Sequence, residues 1–310
     1  MGMNEISFRQ LEYFVAAAET GSVTAAAAKV HLTQSAVSTA LSELEDNLGV
    51  QLFLRHARGL KLTTPGRQAL ADARRLLSGV DELRDSAREV QSALSGSLVV
   101  GCYSTLAAVL LPRVIADFVA RYPDVDLGFI EGSGQYLVSQ LRGVGCDLAL
   151  MYEVDELRLA KDLRMTALYA AEPYVLLARH HPLAERDAVG VADLAAEPMI
   201  LFDLPPGATY FLSLFKEAGL TPDVRYRSTN FEMVRSLVAH GLGYAVLTQR
   251  PTIPISYDGL ELVTLPLAPR RPGLPVGLVR LADLTPSRRA VAFAEQCART
   301  LGAAIDSFHG

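Results

Sequence analysis

The sequence contains few of the residues that mark metal-binding, redox or disulfide-linked proteins. Its 310 residues include no tryptophan and three cysteines, and aromatic residues make up 7%. Cys102, Cys146 and Cys297 lie far apart, so none has the spacing of a metal-ligand or redox pair. We expect them to be buried apolar residues, and we expect no metal site and no cofactor.

Long apolar runs are also missing. The longest candidate, residues 106–119, is interrupted by Pro112 and Arg113, whereas a membrane-spanning helix needs roughly 20 apolar residues. Glu5 and Arg9 occupy positions where a signal peptide would need an apolar core. The sequence therefore predicts a cytoplasmic protein without a membrane partner.

Basic residues are outnumbered by acidic ones. The chain has 29 Lys and Arg against 34 Asp and Glu, a formal net charge of −5. This balance disfavours the coating of nucleic acid without specificity but permits a small basic contact surface. Hydrophobic residues make up 50% of the chain, so it can form large cores, and its length predicts two or more domains.

Two short amphipathic helices are predicted between Gly21 and Gly49. The Thr33 hydroxyl can cap the second helix, and Gly49 can end it in a left-handed conformation. A buried stripe of that helix consists of Val37, Leu41, Leu44 and Leu48. The opposite face begins with four short hydrogen-bonding side chains: Gln34, Ser35, Ser38 and Thr39. This face is typical of a helix-turn-helix that reads the major groove; the alternative is an ordinary helix with a solvated face.

A further amphipathic helix, within residues 8–18, precedes this pair and predicts a three-helix core. Two extended segments around Gly59 follow the pair and predict a β-hairpin wing. The basic side chains of the wing, which could contact phosphates, are Arg55, His56, Arg58 and Lys61. A solvated turn is the alternative for such a charge cluster.

Residues 66–94 lack proline and predict one long helix. Apolar residues recur along it at spacings of three and four, close to a heptad seam: Leu70, Ala73, Leu77, Val80, Leu83, Ala87, Val90 and Leu94. A seam on a helix between two domains needs a partner, and the simplest partner is the same helix of a second subunit. We therefore predict a dimer, with packing against the chain's own body as the alternative.

After Ser95-Gly96-Ser97 the pattern changes to strands alternating with helices, which is typical of parallel sheets covered by helices. A first series predicts strands at 98–101, 125–130 and 147–151, separated by helices at 105–121 and 137–141. A second series predicts strands at 174–178, 199–202, 224–227 and 244–247, helices at 208–218 and 231–240, and a final strand and helix at 275–281 and 286–301. Together they predict two α/β lobes.

With these segments in order, the chain resembles the LysR-type transcriptional regulators over essentially its full length. In the first part, the resemblance rests on Phe8-Arg9-Gln10-Leu11-Glu12-Tyr13-Phe14, Gly21-Ser22, Thr33-Gln34-Ser35-Ala36-Val37-Ser38, Leu44-Glu45, Leu48-Gly49-Val50-Gln51-Leu52-Phe53, Arg55 and Leu62-Thr63-Thr64-Pro65-Gly66. In the remainder it rests on Leu111-Pro112, Phe118, Tyr122-Pro123, Asp147-Leu148-Ala149 and Leu242-Gly243.

The resemblance implies an α/β protein in three parts: an N-terminal winged helix-turn-helix (1–65), a long dimerising linker helix (66–95) and a C-terminal two-lobed effector domain like a periplasmic binding protein (96–310). Lobe one would combine about 97–163 with 268–302, and lobe two would be about 164–267. Also implied are a homodimer or homotetramer, operator DNA and RNA polymerase as partners, and a small-molecule effector between the lobes.

Carried over position by position, the resemblance places Gln34, Ser35 and Ser38 at DNA bases, and Arg55 and Arg58 near phosphates. One departure concerns the segment Ser38-Thr39-Ala40-Leu41, where the family commonly has Ser-Arg-Gln-Ile. The helix therefore lacks guanidinium groups, each worth roughly 1–3 kcal/mol of discrimination at guanine. We expect a different operator preference, with more dependence on the wing and on several subunits.

For the effector, the resemblance places ligand contacts at Ser104 or Thr105, Gln135, Phe202, Asp203, Phe231 and Thr248. Ser104 and Thr105 sit at a predicted helix N-terminus, where free N–H groups favour an anion such as a metabolite carboxylate; a simple N-cap is the alternative for Ser104. Asp203 would repel this anion. Three roles are therefore open for Asp203: it caps the following turn, it points away from the ligand, or it pairs with a cationic or amide group of the ligand.

Two other classes of protein fit parts of the sequence. An enzyme has little support, because Gly132-Ser133-Gly134 is not the nucleophile elbow of a hydrolase, and we expect no catalytic activity. A small-molecule binding protein such as a solute carrier explains the two lobes, but it leaves residues 1–65 and the seam helix without a purpose.

Overall fold

The computed structural model describes residues 6–56, 59–87, 94–154, 157–158 and 160–309. The chain forms two compact units. One comprises the residues up to 96 together with 139–146, and the other comprises 97–138 together with the residues from 147 onward. Among the helices within the described ranges, none is long and apolar enough to cross a bilayer.

The first unit begins with three helices: α1 (Phe8–Thr20), α2 (Val23–Lys29) and α3 (Gln34–Leu48). Ser7, Ser22 and Thr33 cap their N-termini by accepting hydrogen bonds from backbone N–H groups of the first turns. Gly21 and Gly49 end α1 and α3 in the left-handed conformation, with φ of 65° and 68°. The predicted capping roles of Thr33 and Gly49 are confirmed.

Buried apolar side chains from all three helices form one core: Leu11, Phe14, Ala26, Ala27, Val37, Leu41 and Leu44. The Phe14 ring also packs edge-on against Phe53, with the ring centroids 5.4 Å apart. The prediction that Leu48 belongs to the buried stripe is wrong, since this side chain is 39% exposed. Leu48 is the last residue of α3, where the helix has passed the core.

The wing is a hairpin of β1 (Phe53–His56) and β2 (Gly59–Leu62), paired antiparallel with Phe53 opposite Leu62. This confirms the predicted hairpin. Gly59 has a φ of 123°, and a Cβ there would lie 2.4 Å from the carbonyl oxygen of Gly21. The Leu60 amide donates to that same oxygen at 2.7 Å. A glycine at position 59 therefore lets the wing bond directly to the turn between α1 and α2.

The linker helix is α4 (Thr64–Ala87). Leu94 lies outside any helix, so the prediction of a helix reaching Leu94 is wrong; Val90 and the side chain of Ala87 lie outside the described residues. Leu70, Ala73 and Leu77 pack against the three-helix core. For these three seam residues, the alternative of packing against the chain's own body is confirmed, because this part of α4 lies against α1 in the same unit.

The distal part of α4 presents apolar side chains to solvent. Leu76 and Leu83, seven residues apart, are 55% and 69% exposed, and Val80 is half-buried. Residues seven apart lie on nearly the same face of a helix. An apolar strip of α4 is thus uncovered within the described chain.

The second unit contains two lobes. Lobe one is a five-stranded sheet in the order β4-β3-β5-β13-β6, formed by β3 (Gly96–Tyr103), β4 (Val125–Gly132), β5 (Leu148–Tyr152), β6 (Leu163–Ala171) and β13 (Leu274–Leu281). β3 and β5 are parallel, as predicted, whereas β13 runs antiparallel to both neighbours. The helices that connect or follow these strands are α5 (Ser104–Arg121), α6 (Gly134–Arg142) and α10 (Arg288–His309), and the end of α6, from residue 139, is grouped with the first unit.

Lobe two has a four-stranded sheet in the order β11-β7-β12-β8 and a parallel pair, β9 and β10. Its strands are β7 (Tyr174–Ala178), β8 (Val189–Gly190), β9 (Pro198–Phe202), β10 (Asp223–Ser228), β11 (Ala245–Leu247) and β12 (Leu262–Ala268). Its α-helices in the described chain are α7 (Val191–Leu194), α8 (Gly207–Glu217) and α9 (Phe231–Ala239). One apolar cluster joins the sheets to α8 and α9.

β6 corrects the predicted lobe boundary. It pairs with β13 from Leu163 to Ala171, so residues 164–171 belong to the sheet of lobe one and the chain changes lobe after Ala171. The rest of the predicted domain division stays a prediction. The cysteines are as predicted, since Cys102, Cys146 and Cys297 are buried and none of the three is in a disulfide bond.

Candidate nucleic-acid interface and ligand site

The start of α3 presents polar side chains to solvent. Gln34, Ser35 and Thr39 are exposed and Ser38 is half-buried, while the opposite face of the helix lies in the core. The Thr33 hydroxyl accepts a hydrogen bond from the Ala36 N–H at 3.3 Å and lies 3.1 Å from the Ser35 hydroxyl. The four predicted base-reading residues therefore lie together on the first two turns of one capped helix.

Glu45 connects α3 to the wing. Its Oε1 accepts hydrogen bonds from the backbone N–H of Leu52 at 2.7 Å and of Phe53 at 3.1 Å. Hydrogen bonds to a charged group contribute roughly 1.5–3 kcal/mol each. This one carboxylate fixes the hairpin relative to the helix that carries the polar face.

The wing carries exposed His56 and Lys61. The backbone of Arg55 lies in β1, but its side chain and the whole of Arg58 lie outside what the structure describes. Sequence reasoning missed Arg67, which donates to the Leu62 carbonyl at 3.2 Å and to the Thr64 hydroxyl at 2.9 Å. Neither acceptor is charged, so Arg67 adds a positive charge at the base of the hairpin.

Side chains from both lobes of the second unit converge around a small cavity. Its lining includes Tyr103, Thr105, Tyr152, Phe202, Phe211, Phe231, Thr248 and Gln249. Four of the seven predicted effector residues are among them: Thr105, Phe202, Phe231 and Thr248. We call this cavity the inter-lobe site.

The inter-lobe site is almost filled by its own side chains. Its free volume is about 10 Å³, close to the minimum for one water molecule. The rings of Tyr103 and Tyr152 are in T-shaped contact with centroids 5.1 Å apart. The Tyr103 hydroxyl of lobe one donates to the Pro205 carbonyl of lobe two at 2.6 Å. This bond joins the lobes across the site.

The remaining polar groups of the site are bonded to each other. The Tyr152 hydroxyl accepts from Gln249 Nε2 at 2.9 Å and lies 3.0 Å from the Thr248 hydroxyl. Burial raises the pKa of Tyr103 and the pKa of Tyr152, so both phenols are neutral. The described lining residues carry no formal charge, and the site therefore offers hydrogen bonds and aromatic surface.

Ser104, Gln135 and Asp203 are not among the lining residues. Ser104 is the exposed first residue of α5, and Tyr103 occupies the N-cap position without a side-chain cap. The alternative of Ser104 as an N-cap is therefore wrong. Gln135 is exposed near the start of α6. Asp203 Oδ2 accepts from Arg227 at 3.3 Å, a partner that the sequence does not place beside it.

Six lining residues were missed by sequence reasoning: Tyr103, Tyr152, Gly207, Phe211, Leu247 and Gln249. Two of them had a usable signal. Tyr103 and Tyr152 end β3 and β5, which are parallel, and open α/β sheets bind ligands beyond the carboxyl ends of their strands. No pattern in the sequence points to Phe211 or Gln249, which reach the site only through the tertiary fold.

A capped polar helix with a basic hairpin, followed by a two-lobed α/β module, defines the class of ligand-responsive DNA-binding proteins. The family model "Bacterial regulatory helix-turn-helix protein, lysR family" matches residues 8–67, and the model "LysR substrate binding domain" matches residues 91–302. The chain therefore belongs to the LysR family of transcriptional regulators, which combine a helix-turn-helix DNA-binding domain with an effector-binding domain.

Individual relatives agree with this assignment. The uncharacterized regulator YvbU of Bacillus subtilis is 33% identical over 262 residues, covering 83% of this chain and 85% of YvbU. The crystal structure of HinK, a LysR family regulator of Pseudomonas aeruginosa, has a TM-score of 0.66 and 35% identity, covering 96% and 100% of the two chains. A full-length OxyR variant of Pseudomonas aeruginosa, at 24% identity with 95% and 98% coverage, shares the fold with a TM-score of 0.75.

Proposed function

We propose that this protein recognises operator DNA through the start of α3 and through the wing. The observation that carries this proposal is the exposed set Gln34, Ser35 and Thr39 with half-buried Ser38, on a helix whose other face is buried. Amide and hydroxyl side chains can pair with base edges in the major groove. Arg55, Arg58 and Arg67 would contact phosphates, which position the helix without reading sequence.

The absence of arginine from the polar face of α3 supports a role for more than one subunit. Each half-site then contributes little discrimination, so paired half-sites would supply the specificity. The exposed Leu76 and Leu83 on α4 support a dimer through this helix, and two dimers would form the homotetramer. The division into 1–65, 66–95 and 96–310 follows these roles, with the lobe boundary moved beyond Ala171.

The effector would bind at the inter-lobe site, against Thr105, Phe202, Phe231 and Thr248. Since the free volume there is about 10 Å³, the ligand has to displace a tyrosine ring or separate the lobes. The uncapped start of α5, with Ser104 exposed, supports a carboxylate as the ligand's polar group. Gln135 and Asp203 would then contact it only after a rearrangement.

The proposed role as a DNA-binding regulator also implies where the protein acts and which partner it works with. A regulator that binds operator DNA would act beside RNA polymerase in the bacterial cytoplasm. Because the family consists of regulators, we infer that the chain is not an enzyme.

Fluorescence anisotropy with the full chain tests the DNA proposal. The labelled DNA is the intergenic segment upstream of its own gene, and a scrambled duplex of equal length is the control. We expect a preference for the upstream segment, and a loss of affinity for both duplexes as salt rises from about 50 to about 200 mM, by orders of magnitude for several phosphate contacts. No preference at any salt concentration would contradict operator recognition and favour a carrier-type binding protein.

A thermal-shift screen of metabolites tests the effector proposal, because a ligand that binds only the folded state raises its stability. A hit should lose its effect in Thr105→Val, which keeps the shape of the buried side chain and removes its hydroxyl. An equal shift in this variant would place the ligand elsewhere.

A further inference from the structure

A second and much larger cavity lies in the same unit. Its volume is about 330 Å³, within the range of roughly 300–1,000 Å³ that is typical of small-molecule pockets. It shares the segment Thr248-Gln249 with the inter-lobe site, but its other lining residues differ. We call it the Arg250 pocket.

One wall of the Arg250 pocket is apolar. It is lined by Val109 and Leu110 of α5, Leu301 of α10, Ala170 and Ala171 at the end of β6, Pro173 just after that strand, and Pro266 of β12. This wall offers a surface for a hydrocarbon or aromatic body, since burying apolar area is favourable in proportion to the area removed from water.

The positively charged group of the pocket is Arg250. Its guanidinium carbon lies 4.7 Å from the centroid of the Tyr174 ring, and the side chain is exposed. Among the described residues, no carboxylate is paired with it. A guanidinium stacked on a ring uses its face and keeps its N–H edges free for an acceptor in its plane.

The pocket also contains a carboxylate, Glu172, but this charge is already compensated. Glu172 Oε1 accepts from Arg270 Nε at 2.9 Å, with a second bond from the same guanidinium. The lining therefore presents one uncompensated positive charge beside an apolar wall.

Two tyrosines complete the site. The Tyr174 hydroxyl donates to the Gln249 carbonyl at 2.7 Å, which fixes the ring that supports Arg250. Burial raises the pKa of Tyr169, so this half-buried phenol is a neutral hydrogen-bonding group.

We propose that the Arg250 pocket is a second ligand site, separate from the inter-lobe site, and that it binds a small amphipathic carboxylate. The apolar body of the ligand lies against Val109, Leu110 and Leu301, and its carboxylate pairs with the free edge of the Arg250 guanidinium.

Ligand-observed saturation-transfer NMR on the full chain tests this proposal with two matched pairs of probes. Phenylacetate and hexanoate carry the required charge, whereas phenylacetamide and hexanamide have nearly the same shape without it. We expect the acids to bind, and Arg250→Gln to weaken their binding about tenfold, as loss of one charge-assisted pair implies. Arg179→Gln is the control, since Arg179 is an exposed arginine of the same lobe, and it should bind like the wild type.

Two further variants locate the bound acid. Leu110→Trp fills the pocket and keeps its charge, so it should abolish binding of the acids. Phe231→Ala alters only the lining of the inter-lobe site, so the part of the binding that Arg250→Gln removes should persist in this variant. Unfolding midpoints establish that the variants are folded, and Arg250→Gln, an exposed substitution, decides the question even if Leu110→Trp does not fold.

Three results would overturn the proposal. One is the absence of binding by either acid to the wild type at about 10 mM, an affinity too weak to count as a site. Another is equal binding of the acids by the wild type and by Arg250→Gln. The third is loss of binding in Phe231→Ala with retention in Arg250→Gln, which would place the acids in the inter-lobe site.

Discussion

The start of α3 and the inter-lobe site use their polar groups in opposite ways. On α3 the amide and hydroxyl groups of Gln34, Ser35 and Thr39 face solvent. In the inter-lobe site the hydroxyls of Tyr103 and Tyr152 are bonded to groups of the protein itself. The proposed DNA-reading face of α3 is therefore already exposed, whereas an effector at the inter-lobe site would have to break existing contacts. On this proposal, recognition of DNA by α3 needs little rearrangement, and ligand binding is where a conformational change would begin.

The first prediction addresses how firmly the α3 surface is held. Glu45→Ala removes the acceptor of the Leu52 and Phe53 amides, so we expect a loss of about 2–3 kcal/mol in the free energy of unfolding of the first unit. Urea denaturation followed by circular dichroism measures it. Glu43→Ala is the matched control, because Glu43 is exposed on the same helix and accepts from the Gln10 side chain at 3.2 Å, with no bond to the wing among the described residues. Equal losses in both variants would mean that Glu45 does not hold the wing.

The second prediction concerns the surface itself. Gln34→Ala removes an exposed amide without disturbing the core, so we expect operator affinity to fall roughly tenfold while affinity for scrambled DNA is unchanged. Ser38→Ala should act in the same direction and less strongly, because Ser38 is half-buried. Arg58→Ala should weaken binding to both duplexes. If anisotropy shows no change in any of the three, the recognition surface lies elsewhere.

The contrast between the two sites also explains what could be predicted from the sequence. The helices of the first unit follow from local signals, since Thr33 and Gly49 bound α3 and its apolar residues repeat at helical spacing. β12 is missed because Pro266 interrupts it, and proline argues against a strand in most sequences. β6 is missed because the alternation of apolar and polar residues at 163–166 does not continue into the alanine-rich second half of the strand, and alanine is depleted in strands.

The inter-lobe site was less predictable, because its residues come from distant parts of the chain and share no local pattern. Thr105, Phe202, Phe231 and Thr248 were identified through the family resemblance, not through a local pattern. Gln249 bonds Tyr152 across 97 positions, and Asp203 meets Arg227 only because β9 pairs with β10. Such contacts depend on tertiary structure, which one sequence does not display.

The third prediction tests whether the inter-lobe site is held closed. Tyr103→Phe removes the hydrogen bond to Pro205 and keeps the ring, so we expect a loss of about 1 kcal/mol in the stability of the closed arrangement. Hydrogen exchange should become severalfold faster at the amides of Leu204, Gly207 and Ala208, since Pro205 and Pro206 carry no amide hydrogen. Tyr257→Phe is the control, because that side chain is 91% exposed. Unchanged exchange in Tyr103→Phe would show that packing alone closes the site.

The smallest expected effect concerns the ion pairs that join α1 to α2 and to α4. Although partial burial raises the pKa of Glu19, hydrogen bonds from Lys29 at 2.7 Å and Arg74 at 3.1 Å lower it overall. A carboxylate with a lowered pKa stabilises the folded state above its unfolded pKa, and this contribution is lost as pH falls through the folded value. Because Glu19 is partly exposed, its contribution at pH 7 is below about 1 kcal/mol.

Glu19→Gln should therefore be slightly less stable than the wild type at pH 7, and the difference should disappear as pH falls through the lowered pKa of Glu19 in the folded state. Glu12→Gln, an exposed change on the same helix, should differ little from the wild type at either pH. Urea midpoints at pH 7 and pH 3 decide the matter. A difference that persists at pH 3 would mean that packing of the Glu19 side chain, and not its charge, stabilises this unit. The polar face of α3 would then be held in place by the apolar core and by Glu45.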